Sequence, residues 1–376
     1  MDEQAYFERL DSTADAASGL FEHFEARAAA GHDYHALPDA RHGVERGTVV
    51  FPEADVVVRG YPSIPRIMWL EAGVPSFFET HDRVVVEEKL DGFNVRIAEV
   101  DGEVLAFTRG GYVCPYSTGR ARDLLDVDAF FDEHPSRMLC AELVGPETPY
   151  TTHDYADVDR HEIRVFGVRD RERGDPLPVD ERRELCETFA FPQPELFGRY
   201  RPDAAADAVA DVVERLDERG REGVVIKSPD CRALVKYTTA HHHHESLAYA
   251  FSLPFDYGRD FVFSRIVREA FQAAELDDAD RERRERARDL GESILLPMVD
   301  AIEAVADGET LGEAHTVRGA PDRIAALLDH LRDQGLTLSI DDDRREDGDR
   351  VVEFTKVSAA STDRIRHYLD GGTIDE

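Results

Sequence analysis

The sequence predicts an α+β fold, with a mostly antiparallel central sheet region, an N-terminal module, and helical plus small α+β parts towards the C-terminus. Three observations carry this. Short β-branched runs recur at 83–88, 93–100, 103–108, 137–144, 162–168, 222–227 and 232–238, with Asp101-Gly102 as a hairpin signal between two of them. Helical patterns interrupt these runs only at about 120–132, 180–190 and 203–219. After 240 the apolar period changes from two to about 3.6.

In chain order, residues 1 to about 30 are rich in alanine and acids and are expected to form one helix. Strand-like runs follow at Thr48-Val49-Val50-Phe51 and Val56-Val57-Val58. Tyr61-Pro62-Ser63-Ile64-Pro65-Arg66 is extended, because each proline biases its predecessor away from helix. The N-terminal module therefore spans 1–70 and the strand-rich region 71–240. Its last helix, 203–219, docks on a sheet through Val209, Val212, Val213 and Leu216. A helical region spans 241–316, where Leu290, Ile294, Met298, Ile302 and Val305 make one apolar face suited to a partner helix. The segment 317–376 reads helix, strand, acidic turn (341–349), strand, helix. The histidines from His241 to His244 read as a solvated loop or helix start.

Charge and lysine usage narrow the function. The net charge is −34, and lysine occurs only at Lys89, Lys227, Lys236 and Lys356 although Lys+Arg totals 45. A nucleic-acid binder is expected to be basic. The composition instead fits adaptation to concentrated salt, where a Debye length of about 3 Å at 1 M screens self-repulsion. Three of the four lysines end strand-like runs beside Asp, Glu and Gly. Arginine cannot lose its proton to become a nucleophile, whereas a lysine can. Neighbouring cations at Lys227 and Lys236, with a metal ion, are expected to lower the Lys89 pKa. No lysine follows a glycine, which excludes a P-loop. Cys114, Cys140, Cys186 and Cys231 form neither a C-x-x-C pair nor a disulfide framework. No apolar run is long enough to span a bilayer, and the acidic N-terminal residues do not read as a signal peptide. A cytoplasmic protein is expected.

The chemistry concentrates in five clusters: Lys89-Leu90-Asp91-Gly92-Phe93-Asn94; Phe107-Thr108-Arg109-Gly110-Gly111; Cys140-Ala141-Glu142-Leu143-Val144-Gly145-Pro146-Glu147; Ile163-Arg164-Val165-Phe166-Gly167-Val168; and Glu222-Gly223-Val224-Val225-Ile226-Lys227 with Leu234-Val235-Lys236-Tyr237. Strict alternation puts Glu222 and Lys227 on opposite faces of their strand, unless an irregularity at Gly223 intervenes. Arg96 reads as a surface charge, and Glu87, Glu88 and Glu147 as supporting acids.

In this order the clusters resemble the nucleotidyltransferase motifs of ATP-dependent ligases and RNA-capping enzymes, and most closely the homodimeric, RNA-circularising archaeal ATP-dependent RNA ligases. Motifs cover about 80–240; Tyr61 to Arg66 and Tyr237-Thr238-Thr239 extend the likeness. The resemblance implies an ATP-grasp-like ligase fold and joining of 5′-phosphate and 3′-OH ends of single-stranded RNA. Lys89 would carry AMP, with Lys227 and Lys236 neutralising the α-phosphate. Phe166 would stack on adenine; Glu142 and Arg109 would hold the ribose and phosphates. Asp91 and Gly92 would form the turn at the nucleotide. Asn94 and Glu222 would engage Mg²⁺ (or Mn²⁺) or its waters. A DNA ligase, a guanylyltransferase and a non-catalytic nucleotide- or RNA-binding protein are the competing readings.

Overall fold

A computed structural model describes residues 2–150, 155 and 157–374. Two short helices, α1 (Glu3–Arg9) and α2 (Ala17–Phe21), precede an antiparallel sheet of β1 (Glu25–Ala29), β2 (His32–Ala36), β3 (Val49–Phe51) and β4 (Val56–Val58). The single helix expected over 1–30 is therefore two helices and a strand. Alanine content is a weak preference that local geometry overrides. Asp11 takes a φ of 48° after α1, and Ala30 and Gly31, at 53° and 80°, make the two-residue turn that pairs β1 with β2. β3 and β4 are buried on both faces. Val50 and Val57 pack on Tyr6, Leu10, Leu20 and Phe21, while Val49, Phe51, Val56 and Val58 pack on the next sheet. Burial on both sides explains why this stretch reads as a continuous apolar run.

The middle of the chain holds α3 (Leu70–Phe77), β5 (Val84–Lys89), β6 (Phe93–Val100), β7 (Glu103–Thr108), α4 (Pro115–Leu124), α5 (Val127–Glu133), β8 (Arg137–Val144), β9 (Glu162–Asp170), α6 (Val179–Thr188), β10 (Leu196–Tyr200), α7 (Ala205–Asp217), β11 (Gly223–Lys227) and β12 (Leu234–Thr238). They form two antiparallel sheets, β10-β5-β11-β12 and β7-β6-β8-β9. The outer face of the first carries Val84, Val86, Val224, Ile226 and Val235 against Val209, Val212, Val213 and Leu216 of α7. The second carries Val95, Ile97, Leu139 and Val165 against α4 and α5. The inner faces bound a cleft. β10 escaped the sequence reading because it is short, glycine-broken and shifted in register against β5.

The remainder comprises α8 (Ala240–Ser252), α9 (Arg259–Glu275), α10 (Asp280–Ala306), β13 (Gly312–Gly319), α11 (Pro321–Asp333), β14 (Leu338–Glu346), β15 (Asp349–Val357) and α12 (Ala359–Leu369). Ile324, Leu327, Leu328 and Phe354 join the core behind β6 and β8. The acidic turn expected at 341–349 is largely strand, and only Asp347 and Gly348 turn, both at positive φ. β14 is an edge strand. It needs no apolar face, and cross-strand pairs of Arg344 with Glu353 (2.6 Å) and Arg350 with Asp343 (2.7 Å) satisfy its charges. The apolar series on α10 is divided. Val305 lies in an intrachain core with Leu253, Ala301 and Ile365, Leu290, Ile294 and Met298 are half-buried, and Ile302 is exposed, as are Leu295, Leu296 and Val299 outside that series. Among the described residues no helix is long and apolar enough to cross a membrane.

Candidate active site

Strand register decides which side chains meet. Lys89 ends β5 opposite Gly223; Glu87 lies opposite Val225, which lies opposite Lys236; Val85 lies opposite Lys227. These positions share the inner face of their sheet. On the second sheet Asn94 lies opposite Glu142. A bulge in the β8–β9 pairing at Cys140/Ala141 turns Phe166 inward, where the edge of Tyr61 meets its ring at a centroid distance of 5.2 Å. Lys89, Asn94, Arg109, Glu142, Phe166, Lys227 and Lys236 thus line one cleft of about 650 Å³, part of it open to solvent. Gly92 lets the turn after Lys89 press on β8, because a Cβ there would lie 2.5 Å from the Leu143 carbonyl oxygen. Glu222 precedes β11. Gly223, at φ 143°, redirects the chain so that Glu222 reaches the cleft on the same side as Lys227, which strict alternation forbids.

The two lysines on adjacent strands have different surroundings. Lys89 Nζ donates to Glu222 Oε2 at 2.6 Å. Burial alone would lower its pKa, but Glu222, Glu142 and Asp91 raise it. The expected depression by neighbouring cations is not seen, because the acids Glu222, Glu142 and Asp91 outweigh burial at the amine. Lys227 Nζ donates to Glu87 Oε2 at 2.6 Å and to the Phe166 carbonyl at 3.3 Å. Glu87 also accepts from Arg182 and, at 3.0 Å, from Arg183. Burial would raise Glu87, yet Lys227 and Arg182 hold it at about 2. Lys236 is the depressed lysine, lowered to about 8 by burial and then by Lys89 and Arg66. Burial pushes Glu142 up to about 8, against the pull of Lys89. Its oxygen lies 3.5 Å from the Asn94 amide, whose own buried oxygen has no partner.

Of the two readings of the histidine tract, a solvated loop or a helix start, the structure shows the helix start. Thr239 caps α8 by accepting from the His242 N–H, and the first turn docks into the cleft. His242 Nδ1 lies 3.0 Å from Asp91 Oδ2, and its Nε2 lies 3.5 Å from Glu222 Oε1. His243 is buried between Glu269 (2.5 Å) and Thr238 (2.6 Å), and burial lowers it to about 4. Donor atoms of Asp91, Glu222 and His242 lie within 4.8 Å of one another, so these three offer oxygen and nitrogen ligands to one divalent cation. Asn94 stands beside Glu142, outside that trio.

Known proteins match the chain along its whole length. The model of a family described as RNA ligase matches 82–238, and that of the ligase Pab1020 C-terminal region matches 249–372. The solved structure of an archaeal ATP-dependent RNA ligase is 39% identical, covers 100% of both chains and superposes with a TM-score of 0.91. The chain belongs to this family. A protein of Methanocaldococcus jannaschii is 38% identical over 88% of this chain and 85% of its own. A putative ATP-dependent DNA ligase from Aquifex aeolicus is 27% identical, covers 95% of this chain and 98% of its own, and has a TM-score of 0.88.

For this RNA ligase family member, the motifs alone left several cleft neighbours unread. Tyr61 and His242 arrive from segments about 30 residues before Lys89 and about 150 after it; the family-like stretch Tyr61 to Arg66 and the run of four histidines were the available signals, and neither assigned these side chains to the cleft. Arg96 corrects the surface reading. It is fully buried and donates to the carbonyls of Arg59, Gly47 (2.7 Å) and Thr108 (3.1 Å), tying the N-terminal sheet to β6 and β7. A charge in the middle of a strand reads as exposed until a second sheet covers it.

Proposed function

We propose that this chain joins 5′-phosphate and 3′-OH ends of RNA using ATP, through AMP held first on Lys89 and then on the RNA 5′ end. The observation that supports this best is the seat of Lys89: its amine is 2.6 Å from a carboxylate, in a cleft that also holds Lys227, Lys236 and Arg109. In the first step Nζ gives a proton to Glu222 and bonds to the α-phosphorus, while the bond to the β-phosphate oxygen breaks and pyrophosphate leaves. An oxygen of the RNA 5′-phosphate then bonds to that phosphorus, and the N–P bond breaks. Finally the 3′-OH attacks the activated 5′-phosphorus and AMP leaves. Lys227, Lys236 and Arg109 balance the charge that develops on the phosphate oxygens. Phe166 stacks on adenine. Glu142, protonated below about pH 8, donates to a sugar or phosphate oxygen. A divalent cation, Mg²⁺ or Mn²⁺, at Asp91, Glu222 and His242 would supply further positive charge there.

Mass spectrometry after exposure to ATP and Mg²⁺ tests the reading. One AMP should be found on Lys89 and none in Lys89→Ala. An adduct on another residue, or none under folding conditions, overturns it. Circularisation of single-stranded RNA and a homodimer joined through Leu295, Leu296, Val299 and Ile302 of α10 are part of the same proposal. Light scattering of a variant with charges at Leu296 and Val299 tests the dimer; one that persists rules that face out.

A second reading has its own support. The likeness to a putative DNA ligase spans nearly the whole chain. A competition between 5′-phosphorylated single-stranded RNA and nicked duplex DNA decides between them. Preferential sealing of the nick would favour the DNA reading.

A further inference from the structure

Many arginines in this chain pair with acids, among them Arg164, Arg182, Arg221 and Arg286. Three gathered at one edge of the cleft do not. Arg66, Arg265 and Arg268 make no ion pair among the described residues, and each has a buried nitrogen with no partner: Nε of Arg66, Nε of Arg265 and Nη1 of Arg268. The acid facing all three is Glu222, which already accepts from Lys89 at 2.6 Å. The nearby carboxylate of Glu269 is taken by His243 (2.5 Å) and Arg286 (3.0 Å). The three guanidinium groups repel one another. Burial and then Arg268 lower both Arg66, to about 9, and Arg265, to about 10. Like charges gathered without a counter-ion are costly unless an anion completes the group.

Their place in the fold says which anion. Residues 65–67 run along the free edge of β12: Lys236 N–H donates to the Pro65 carbonyl at 2.9 Å, and Ile67 N–H donates to that of Lys236 at 3.0 Å. The strand order is therefore β5 with Lys89, β11, β12 with Lys236, then Arg66. That spans about 14 Å at the usual strand spacing, within reach of two long side chains and a phosphate between them. Arg66 also contacts Thr238 Oγ1, and Arg265 stacks on Phe261 with Cζ 3.3 Å from the ring centroid. Arg268 makes no hydrogen bond that would explain its position.

We propose that Arg66, Arg265 and Arg268 form a phosphate site beyond Lys236 for the group that stands opposite Lys89 across the α-phosphorus. Displacement at phosphorus keeps entering and leaving oxygens in line. Pyrophosphate leaves opposite Lys89 in the first transfer, and the RNA 5′-phosphate enters from the same side in the second. One site therefore serves both in succession. This inference rests on the reading of Lys89 as the AMP carrier.

Arg268→Ala is the test, because Arg268 holds no other residue in place. It should weaken inorganic pyrophosphate binding measured by calorimetry by at least about tenfold, the scale of a charge-assisted contact. It should weaken binding of 5′-phosphorylated RNA to pre-adenylated protein to a similar degree, and leave binding of 5′-hydroxyl RNA unchanged. Arg268→Lys should recover part of both losses, and Arg284→Ala, an exposed charge removed from α10, should cause neither. Loss of only one of the two affinities overturns the shared site, and loss of neither overturns the site altogether. If wild-type protein forms no Lys89 adduct yet binds pyrophosphate in an Arg268-dependent way, the ligase reading fails while the anion site stands.

Discussion

Lys89 and Lys227 sit on neighbouring strands, each with Nζ 2.6 Å from a glutamate oxygen. The pairs are alike in geometry and opposite in charge balance. Around Glu87 there are three cations, Lys227, Arg182 and Arg183, for one carboxylate. The excess is positive, buried and locked. Around Lys89 the carboxylates of Glu222 and Asp91, with the buried acid Glu142 beside them, act on one amine. Their pull holds a proton that the amine must lose before it can attack phosphorus. One distance cannot separate a structural ion pair from a nucleophile at rest; the surrounding charge count can.

Substitution should break the comparison most sharply at Lys89. Lys89→Arg keeps the charge and should abolish the AMP adduct, a loss of at least about 10³-fold, because a guanidinium cannot be deprotonated. Lys227→Arg keeps the pairing with Glu87 and should lose less, about 10- to 10²-fold, as a misplaced phosphate contact does. Single-turnover adenylation measures both, and equal losses would erase the distinction between them.

Glu87→Gln should act on stability. It leaves Lys227 and Arg182 buried without their counter-charge and should cost about 3–5 kcal/mol, read from the denaturation midpoint. The sign with pH follows from the shift. Glu87 sits at about 2 in the folded chain against about 4.3 unfolded. Its contribution is complete above the unfolded value and is lost as pH falls towards 2. The variant should lack that part of the acid slope.

A smaller effect is expected at Lys236, which burial and Lys89 lower to about 8. Its charge is lost as pH rises through that value, so ATP affinity should weaken by at most about tenfold per pH unit above it. Lys236→Arg should flatten that limb in a binding titration between pH 7 and 9. Salt should have the mildest influence. With −34 charges repelling RNA, joining should hold or rise as KCl increases from about 0.1 M, where the Debye length is about 10 Å, to molar concentrations. A steady fall in joining while circular dichroism shows the chain folded would contradict the salt-adaptation reading of the charge.

The sequence by itself determined the α+β class, most strands of the two central sheets and the residues worth examining. Those follow from short-range rules: period two, turn chemistry, and the survival of three of the four lysines at strand ends beside Asp, Glu and Gly. Tertiary structure decided how they meet. Glu222 and Lys227 share the cleft because Gly223 adopts φ 143°, a backbone choice that residue alternation does not encode. Arg96 is buried because a second sheet covers it, and His242 meets Asp91 because α8 begins where β12 ends. The charge state of Lys89 depends on acidic side chains from the turn after β5, from β8 and from the segment before β11 converging on one atom, and no local window of sequence contains that sum.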